Sequence, residues 1–205
     1  MPPIKLADVD KVLFDKVWAM MLELGEQQRH FNQMQTQYRT IASTWLLATI
    51  AALGFVYSKE NVPLSPDILA ASLSVVAAIG IVLLWILDIL VYHELLVVNF
   101  TQAERLESDY EWLTQVQSQY RKTQGKSSVR VRATRFYAGS VMLLTFLGGA
   151  ALVRSYLTSA QPRSPLFAVI IVISGIAGGI AMTWYARKRS RFQATMVSSV
   201  ATRDQ

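Results

Sequence analysis

The sequence predicts an all-α membrane protein with four transmembrane helices, in which the first and second spans have long cytoplasmic helical extensions. Only 17% of the 205 residues are charged, whereas soluble domains average about 25%. The apolar residues, 52% of the chain, concentrate in four blocks that contain no charge. Heptad spacing of apolar residues ahead of the first block indicates a helix that begins outside the bilayer.

The four uncharged blocks are long enough to cross a bilayer, because a core about 30 Å thick takes about 17 to 25 helical residues. They predict five segments along the chain. These are a cytoplasmic heptad helix (1–40), a transmembrane hairpin (41–92, with spans 41–57 and 68–92), a cytoplasmic helix with a basic connector (93–135), a second transmembrane hairpin (136–186, with spans 136–153 and 166–186) and a basic cytoplasmic tail (187–205).

The distribution of lysine and arginine predicts the orientation of the spans. Five of these residues precede the first span, seven lie between the second and third, and five follow the fourth, against one and two in the short connections. Positive residues mark the cytoplasmic side of a membrane protein. We therefore expect a multi-pass protein of the bacterial inner membrane, with the N-terminus, the central connection and the C-terminus in the cytoplasm.

The segment before the first span has the spacing of a coiled-coil seam. Apolar residues recur at alternating steps of four and three, interrupted by Gln27, which predicts one helix from about residue 7 to residue 57. The residues of this predicted oligomer seam are Leu13, Val17, Met20, Leu24, Phe31, Met34 and Tyr38. Such a seam either packs within one chain or also joins subunits, and both alternatives stay open.

The segment after the second span is predicted to form a second amphipathic helix, which can pack on the first. Glu107 lies off its apolar face, and Gly125 is expected to end the helix. The apolar face comprises Tyr92, Leu96, Ala103, Leu106, Tyr110, Leu113 and Tyr120.

Ionisable and polar residues interrupt the apolar run at the end of span two, where the uncharged stretch from Ile68 stops at Leu87. The candidates for a pore mouth are Asp88, Tyr92, His93 and Glu94. An ionisable residue at a membrane edge needs water or a partner, and a ring of aspartates in an oligomer would select cations. The alternative is that Asp88 simply lies among the lipid headgroups.

Small residues at four-residue spacing predict close helix packing in lipid. Span two has Ala70, Ser74 and Ala78, and span four has Gly175 and Gly179. The simpler interpretation is packing within one bundle. The other is contact between subunits, or the lining of a narrow pore.

Basic residues beside the predicted spans account for much of the net charge of +6, so we expect no direct DNA binding. They are Arg130, Arg132, Arg135, Arg187, Lys188, Arg189 and Arg191. Cations next to a membrane attract anionic lipid headgroups. The alternative is a pocket for an anionic signal such as a nucleotide.

The residue content argues against catalysis. The chain has no cysteine, and its two histidines are far apart in sequence. It also lacks a nucleophile elbow, a phosphate loop and the spacing of metal ligands. We therefore predict no enzymatic activity, no cofactor and no metal site.

The order of a heptad helix, a membrane hairpin and an acidic, aromatic helix (AERLESDYEWL, Ala103 to Leu113) resembles the SLATT family over about residues 8–120. The resemblance is one of architecture, without a diagnostic motif. These proteins are small membrane effectors of bacterial conflict systems, and the four-span count is also similar to the membrane subunit of Kiwa-type antiphage systems. The resemblance implies a homo-oligomeric, channel- or pore-forming effector that a sensor protein or nucleotide signal activates. The alternative from another class is a non-conducting membrane scaffold or sensor that docks a soluble cytoplasmic partner.

Overall fold

The computed structural model describes residues 4, 10–58, 65–117, 119, 129–158 and 166–190, with the backbone alone over 191–201. This part of the chain is all-α. Its helices are α1 (Lys11–Ser58), α2 (Pro66–Trp85), a π-helical segment (Ile86–Tyr92), α3 (His93–Asp109), α4 (Val129–Thr158) and α5 (Leu166–Ala201). An isolated parallel bridge joins Ile4 to Tyr110.

Four helical runs are long and apolar enough to cross a membrane. They are Lys11–Ser58, Pro66–Asp109, Val129–Thr158 and Leu166–Ser190. Each contains one of the four predicted spans. The prediction of an all-α chain with four potential membrane spans is therefore confirmed.

The first helix begins at Lys11, a few residues later than predicted, and its start has a local cause. The Asp10 carboxylate accepts a hydrogen bond of 2.7 Å from the backbone N–H of Leu13. An aspartate in this position caps a helix, because it satisfies one of the amide groups that have no partner in the first turn. The α-helix then continues without interruption to Ser58.

The third helix ends at Asp109, well before Gly125, which lies outside the described residues together with Tyr120. Tyr110 adopts an extended conformation. The backbone of Ile4 takes over the pairing, since its N–H donates to the Asp109 carbonyl over 2.9 Å and its carbonyl accepts from Glu111 over 3.2 Å. The helix ends where a distant part of the chain supplies these hydrogen bonds, and amphipathic periodicity contains no information about that segment.

The chain folds into two compact units. Unit 1 comprises Met1–Tyr38 and Leu87–Ser127, and unit 2 comprises Arg39–Ile86 and Ser128–Gln205. Helix α1 belongs to both, as does the helical run from α2 through the π-helical segment into α3.

In unit 2, α4 packs against both α2 and α5. The α2/α4 pair is antiparallel, because Trp85 donates to Thr134 at one end (3.2 Å) and Ser74 lies beside Gly148 towards the other. The last turns of α1 join them through a cluster that includes Leu53, Val56, Ala70, Ala71 and Ala151.

The small residues of unit 2 lie where its helices approach most closely. Ala70, Ser74 and Ala78 are buried on α2. On α5, a Cβ atom at Gly175 would overlap the Thr145 side chain, and one at Gly179 would overlap Met142. Apolar burial gives little drive for association between helices in lipid, so close backbone approach and dispersion contacts have to hold them together.

In unit 1, the first part of α1 packs antiparallel to α3. Phe31 and Tyr38 of α1 contact Tyr92, with ring centroids 6.4 and 5.2 Å apart. Near the start of α1, Phe14 stacks on Trp112 at 4.7 Å. The buried apolar side chains of the pair include Val17, Ile89, Leu96, Ala103 and Leu113.

Candidate functional site

Asp88 lies in the π-helical segment that directly follows α2, and its side chain is completely buried (0% exposed). The carbonyl of Asp88 accepts a 3.5 Å hydrogen bond from the Gln35 side chain, and Asp88 takes part in a further interaction within the chain. π-helical turns are rare and often mark functional sites. Within the single chain, the Asp88 side chain is enclosed and does not reach the surface.

Tyr92, His93 and Glu94, the other predicted mouth residues, are half-buried around the junction between the π-helical segment and α3. The Tyr38 hydroxyl hydrogen-bonds to Tyr92, and this bond is the main reason why the pKa of Tyr38 is raised above its ordinary value. His93 and Glu94 are each engaged in interactions within the chain. The structure therefore places the four candidates along one helical stretch without gathering them at an open surface.

The interface between α1 and α3 contains an unusual number of polar side chains, which we call the polar seam. Its members are Gln28, Gln35, Asp88, Asn99 and Glu107, and all five are buried. Asn99 donates to the Gln27 side chain over 2.8 Å, and Gln117 donates to Gln28 over 3.2 Å. Buried polar groups of this kind reduce stability unless every donor and acceptor is satisfied.

Two atoms of the polar seam have no hydrogen-bond partner among the described residues. They are Nε2 of Gln28, a donor, and Oδ1 of Asn99, an acceptor. A buried polar atom without a partner destabilises the folded state by about 1 to 3 kcal/mol. The polar seam is therefore held less tightly than an apolar seam of the same length would be.

Glu107 belongs to the polar seam although its sequence position suggested the opposite face of the helix. Its carboxylate accepts the backbone N–H of Gln117 over 2.8 Å, and its carbonyl accepts the Gln115 side chain over 2.7 Å. The chain turns back after Asp109, and these contacts enclose Glu107. The sequence offered no signal for this turn, because the hydrogen bonds come from residues eight and ten positions later.

The heptad residues of α1 lie close to the face that α1 buries, but the two do not coincide. Val17 is buried, and Leu13, Leu24, Phe31, Met34 and Tyr38 are half-buried. Met20 is 52% exposed, and the buried positions nearby belong to Gln28 and Gln35. The buried glutamines have polar partners there, since Gln35 donates to the Asp88 carbonyl of the π-helical segment and Gln28 accepts from Gln117. An apolar side chain could not satisfy these groups.

The basic residues at the start of α4 do not share one environment. Arg132 and Arg135 are exposed, whereas Arg130 is almost wholly buried and interacts within the chain. Arg130 lies one turn before the buried Thr134 and shares its face, which explains why it points inward. Burying an arginine costs several kcal/mol unless it is paired, and the interaction of Arg130 within the chain offsets part of that cost.

The basic residues that follow span four are exposed as far as the structure describes their side chains. Arg187, Lys188 and Arg189 belong to this group, and the Arg191 side chain lies outside the described residues. The Lys188 ammonium lies 5.0 Å from the centre of the Trp184 ring, and Arg189 donates to the Tyr185 hydroxyl over 3.3 Å.

A second polar cluster, at the ends of α1, α2 and α4 in unit 2, had no sequence signal. The Tyr57 hydroxyl donates to Asp67 over 3.0 Å, and Arg154 forms an ion pair of 3.8 Å with the same carboxylate. The Arg154 guanidinium also lies over the Tyr57 ring, 5.0 Å from its centre. Since Arg154 is largely exposed, the ion pair contributes at most about 1 kcal/mol, and the cluster mainly sets the register of three helices.

Among the described residues, no group of three or more His, Asp or Glu side chains is placed to hold a metal ion. No protein-family model, curated protein or solved structure matches this chain.

Proposed function

We propose that this chain is the subunit of a homo-oligomeric membrane protein that forms a channel or pore, gated by separation of α1 and α3 along the polar seam. The observation that supports it best is the seam itself, with its two buried carboxylates and its two amide atoms without partners among the described residues. A seam with such low intrinsic stability opens at a modest energetic cost. A hairpin with a purely structural role would gain nothing from a seam of low stability.

The gating step reaches the membrane through continuous helices. Helix α1 is one α-helix from Lys11 to Ser58, and the second run continues from Pro66 to Asp109. Both runs contain a potential span and one side of the polar seam. Because a helix transmits rotation and displacement along its axis, a change at the seam would alter how spans one and two lie in the bundle.

The conducting path in this proposal lies between subunits. Within unit 2 the helices are in close contact, as the overlaps at Gly149, Gly175 and Gly179 indicate. Only 22% of the residues in the most apolar stretch of α1 and of α5 are buried, against 50% in α4. The free faces of α1 and α5 are therefore available to other subunits as well as to lipid.

The orientation and biological setting complete the proposal. The excess of lysine and arginine outside the short connections supports a topology with both termini and unit 1 in the cytoplasm of a bacterial cell. In that topology the polar seam would meet soluble signals. The resemblance to SLATT and Kiwa-type membrane proteins suggests an effector in antiphage defence, activated by a soluble protein or a nucleotide.

A non-conducting scaffold is the second candidate, and an exposed patch on unit 1 favours it. Val12, Phe14, Trp18 and Leu22 lie in the first turns of α1 with 62%, 36%, 48% and 55% of their surface exposed. Exposed aromatic and aliphatic side chains outside a membrane span are typical of a docking surface for protein. In this alternative, unit 1 recruits a soluble partner and the spans serve only as an anchor.

Ion flux into vesicles tests the proposal, with a stabilised seam as the critical variant. The Gln28→Leu/Asn99→Leu double variant removes both atoms without partners. It also removes the hydrogen bonds to Gln117 and Gln27, whose side chains are half-buried and exposed and can bond to water instead. The variant should therefore stabilise unit 1 by about 1 to 3 kcal/mol. We expect the wild type to conduct, and the double variant to melt at a higher temperature and to conduct less.

The matched control is Gln33→Leu/Gln102→Leu, which places leucine on exposed positions of the same two helices. It should conduct like the wild type. Absence of flux from assembled wild-type protein would contradict the channel and favour the scaffold. Equal flux from both double variants would exclude the polar seam as the gate.

A further inference from the structure

A shallow groove of about 240 Å³ lies between α1 and α4 in unit 2. Its lining comprises Arg39, Ser43, Val129, Arg132, Ala133 and Phe136. Each helix thus contributes one arginine, and none of the lining residues is acidic. The positions follow helical spacing: the α1 residues are one turn apart, and the α4 residues fall on one face over two turns.

The charge of the groove favours an anion. Arg132 is exposed and Arg39 is half-buried, so both guanidinium groups border the groove near its surface. The Ser43 hydroxyl donates to the Arg39 carbonyl over 2.9 Å, which leaves the two arginines as the main donors. Arginine matches the geometry of phosphate oxygens because it can donate two parallel hydrogen bonds.

The start of α4 adds to this preference. Arg132 lies in the first turns of the helix, and the first turn contains no acidic residue. Cations near a helix N-terminus are unfavourable because the helix dipole is positive there, whereas an anion is stabilised. Arg39 also takes part in a further interaction within the chain, but a guanidinium has five N–H donors and can bond to more than one partner. A phosphate beside the two arginines would therefore be stabilised by both guanidinium groups and by the helix dipole.

The remaining lining is apolar, which separates a lipid from a soluble anion. Val129 and Phe136 are 40% and 39% exposed beside the arginines. Arg39 and Phe136 also lie at the starts of predicted spans one and three, where headgroups meet the acyl region. At about 240 Å³, the groove is smaller than the pockets that bind drug-sized ligands, which are about 300 to 1,000 Å³. Its size suits a headgroup phosphate with its glycerol.

We infer that the groove binds the phosphate of an anionic phospholipid, with Arg39 and Arg132 as its donors and Val129 and Phe136 against the start of the acyl chains. The inference rests on the membrane placement in the proposed function and is independent of conduction. Lipid binding can be measured on protein that passes no ions. The lipid site and the proposed channel function can therefore be disproved independently of each other.

The test is thermal melting of purified protein in neutral detergent, titrated with short-chain phosphatidylglycerol. Short-chain phosphatidylcholine and inorganic phosphate form the comparison arms. We expect saturable stabilisation of the wild type by phosphatidylglycerol. The apparent Kd should rise about tenfold or more in Arg132→Gln and in Arg39→Gln, since each loses a charge-assisted hydrogen bond.

Two further variants distinguish specific binding in the groove from non-specific attraction of the lipid to surface cations. Arg105→Gln removes an exposed arginine of α3 and should leave the titration unchanged. Arg135→Gln removes an exposed cation one turn along α4 that does not line the groove, and it should change the Kd much less than Arg132→Gln. Arg39→Lys replaces Arg39→Gln if the latter does not fold, and an intermediate Kd is expected.

Three results would overturn the inference. Equal weakening by Arg135→Gln and Arg132→Gln would indicate diffuse attraction. Equal stabilisation by phosphatidylcholine would show that headgroup charge is irrelevant. Saturation by inorganic phosphate at the same concentration as the lipid would identify a soluble anion as the ligand.

Discussion

Asp88 illustrates how burial limits the roles open to a single side chain. The residue follows an uncharged stretch of twenty apolar positions, which suggested either a pore mouth or a headgroup contact. Its carboxylate is instead enclosed, next to a carbonyl that holds Gln35. A role in conduction therefore requires a second conformation in which the carboxylate reaches water.

The Asp88→Asn substitution tests this requirement. Asparagine keeps the size and hydrogen-bonding capacity of aspartate but removes one charge from every subunit. Rings of charge change the local concentration of permeant ions by roughly tenfold. We expect the variant to insert and assemble normally and to lose cation preference, measured as a shift in reversal potential across a planar bilayer.

Asp109→Asn is the control, because it removes an exposed acid at the end of α3. Its reversal potential should equal that of the wild type. Unchanged selectivity in Asp88→Asn as well would remove Asp88 from the ion path and leave it a structural role within unit 1.

At the scale of helices, the two units use different means of association. The helices of unit 2 approach closely at glycine, alanine and serine. Those of unit 1 meet through aromatic rings and amide groups. This difference is what the proposed placement of unit 1 in water and of unit 2 in lipid would predict, because apolar burial stabilises helix pairs in water but contributes little in lipid. The buried polar groups of the polar seam reduce that stabilisation in unit 1.

Glycine substitutions in α5 test the close approach of α4 and α5. Gly175→Leu places a side chain where Thr145 already lies, whereas Gly178 has nothing within 4 Å of an added Cβ atom. Overpacking of this kind typically costs about 1 to 3 kcal/mol or more. We expect Gly175→Leu to lower the melting temperature in detergent by several degrees, and Gly178→Leu to change it little.

Equal destabilisation by the two leucines would contradict the packing described for α4 and α5. If Gly178→Leu instead left stability unchanged but reduced the oligomer mass, the free face of α5 would be identified as a subunit contact.

At the scale of the molecule, the four potential spans and the distribution of basic residues lead to one topology. The short connections, residues 59–64 and 159–165, contain two of the twenty lysines and arginines. Each lies between two helices that can cross a bilayer. In the proposed topology, the central connection and the C-terminal tail lie on the opposite side of the membrane from these two connections.

Reporter fusions test this topology directly. Fusions after Gln205 and within residues 123–128 should report the cytoplasm, and a fusion within residues 58–62 should report the periplasm. A cytoplasmic signal from the last site would exclude the four-span arrangement. It would also exclude a cytoplasmic polar seam gating two adjacent spans.

The number and approximate limits of the apolar helices followed from the sequence, because hydropathy over about twenty residues is a local property. The small residues of α2 and α5 were likewise recognisable, since their four-residue spacing reflects a helical face. Glu107, Gln28 and Asn99 were not recognisable as seam residues. Their burial depends on hydrogen bonds to residues far away in the chain, and local periodicity contains no record of these partners.

The π-helical segment, the end of α3 at Asp109 and the groove beside Arg39 and Arg132 were decided only by the tertiary structure. An apolar run looks the same whether its backbone bonds are i to i+4 or i to i+5. A helix ends early when a distant segment such as Ile4 takes over its backbone pairing. Two arginines nearly a hundred positions apart become one site only after α1 and α4 pack. Sequence alone thus determined which segments are helical and apolar, and tertiary packing determined which polar groups meet.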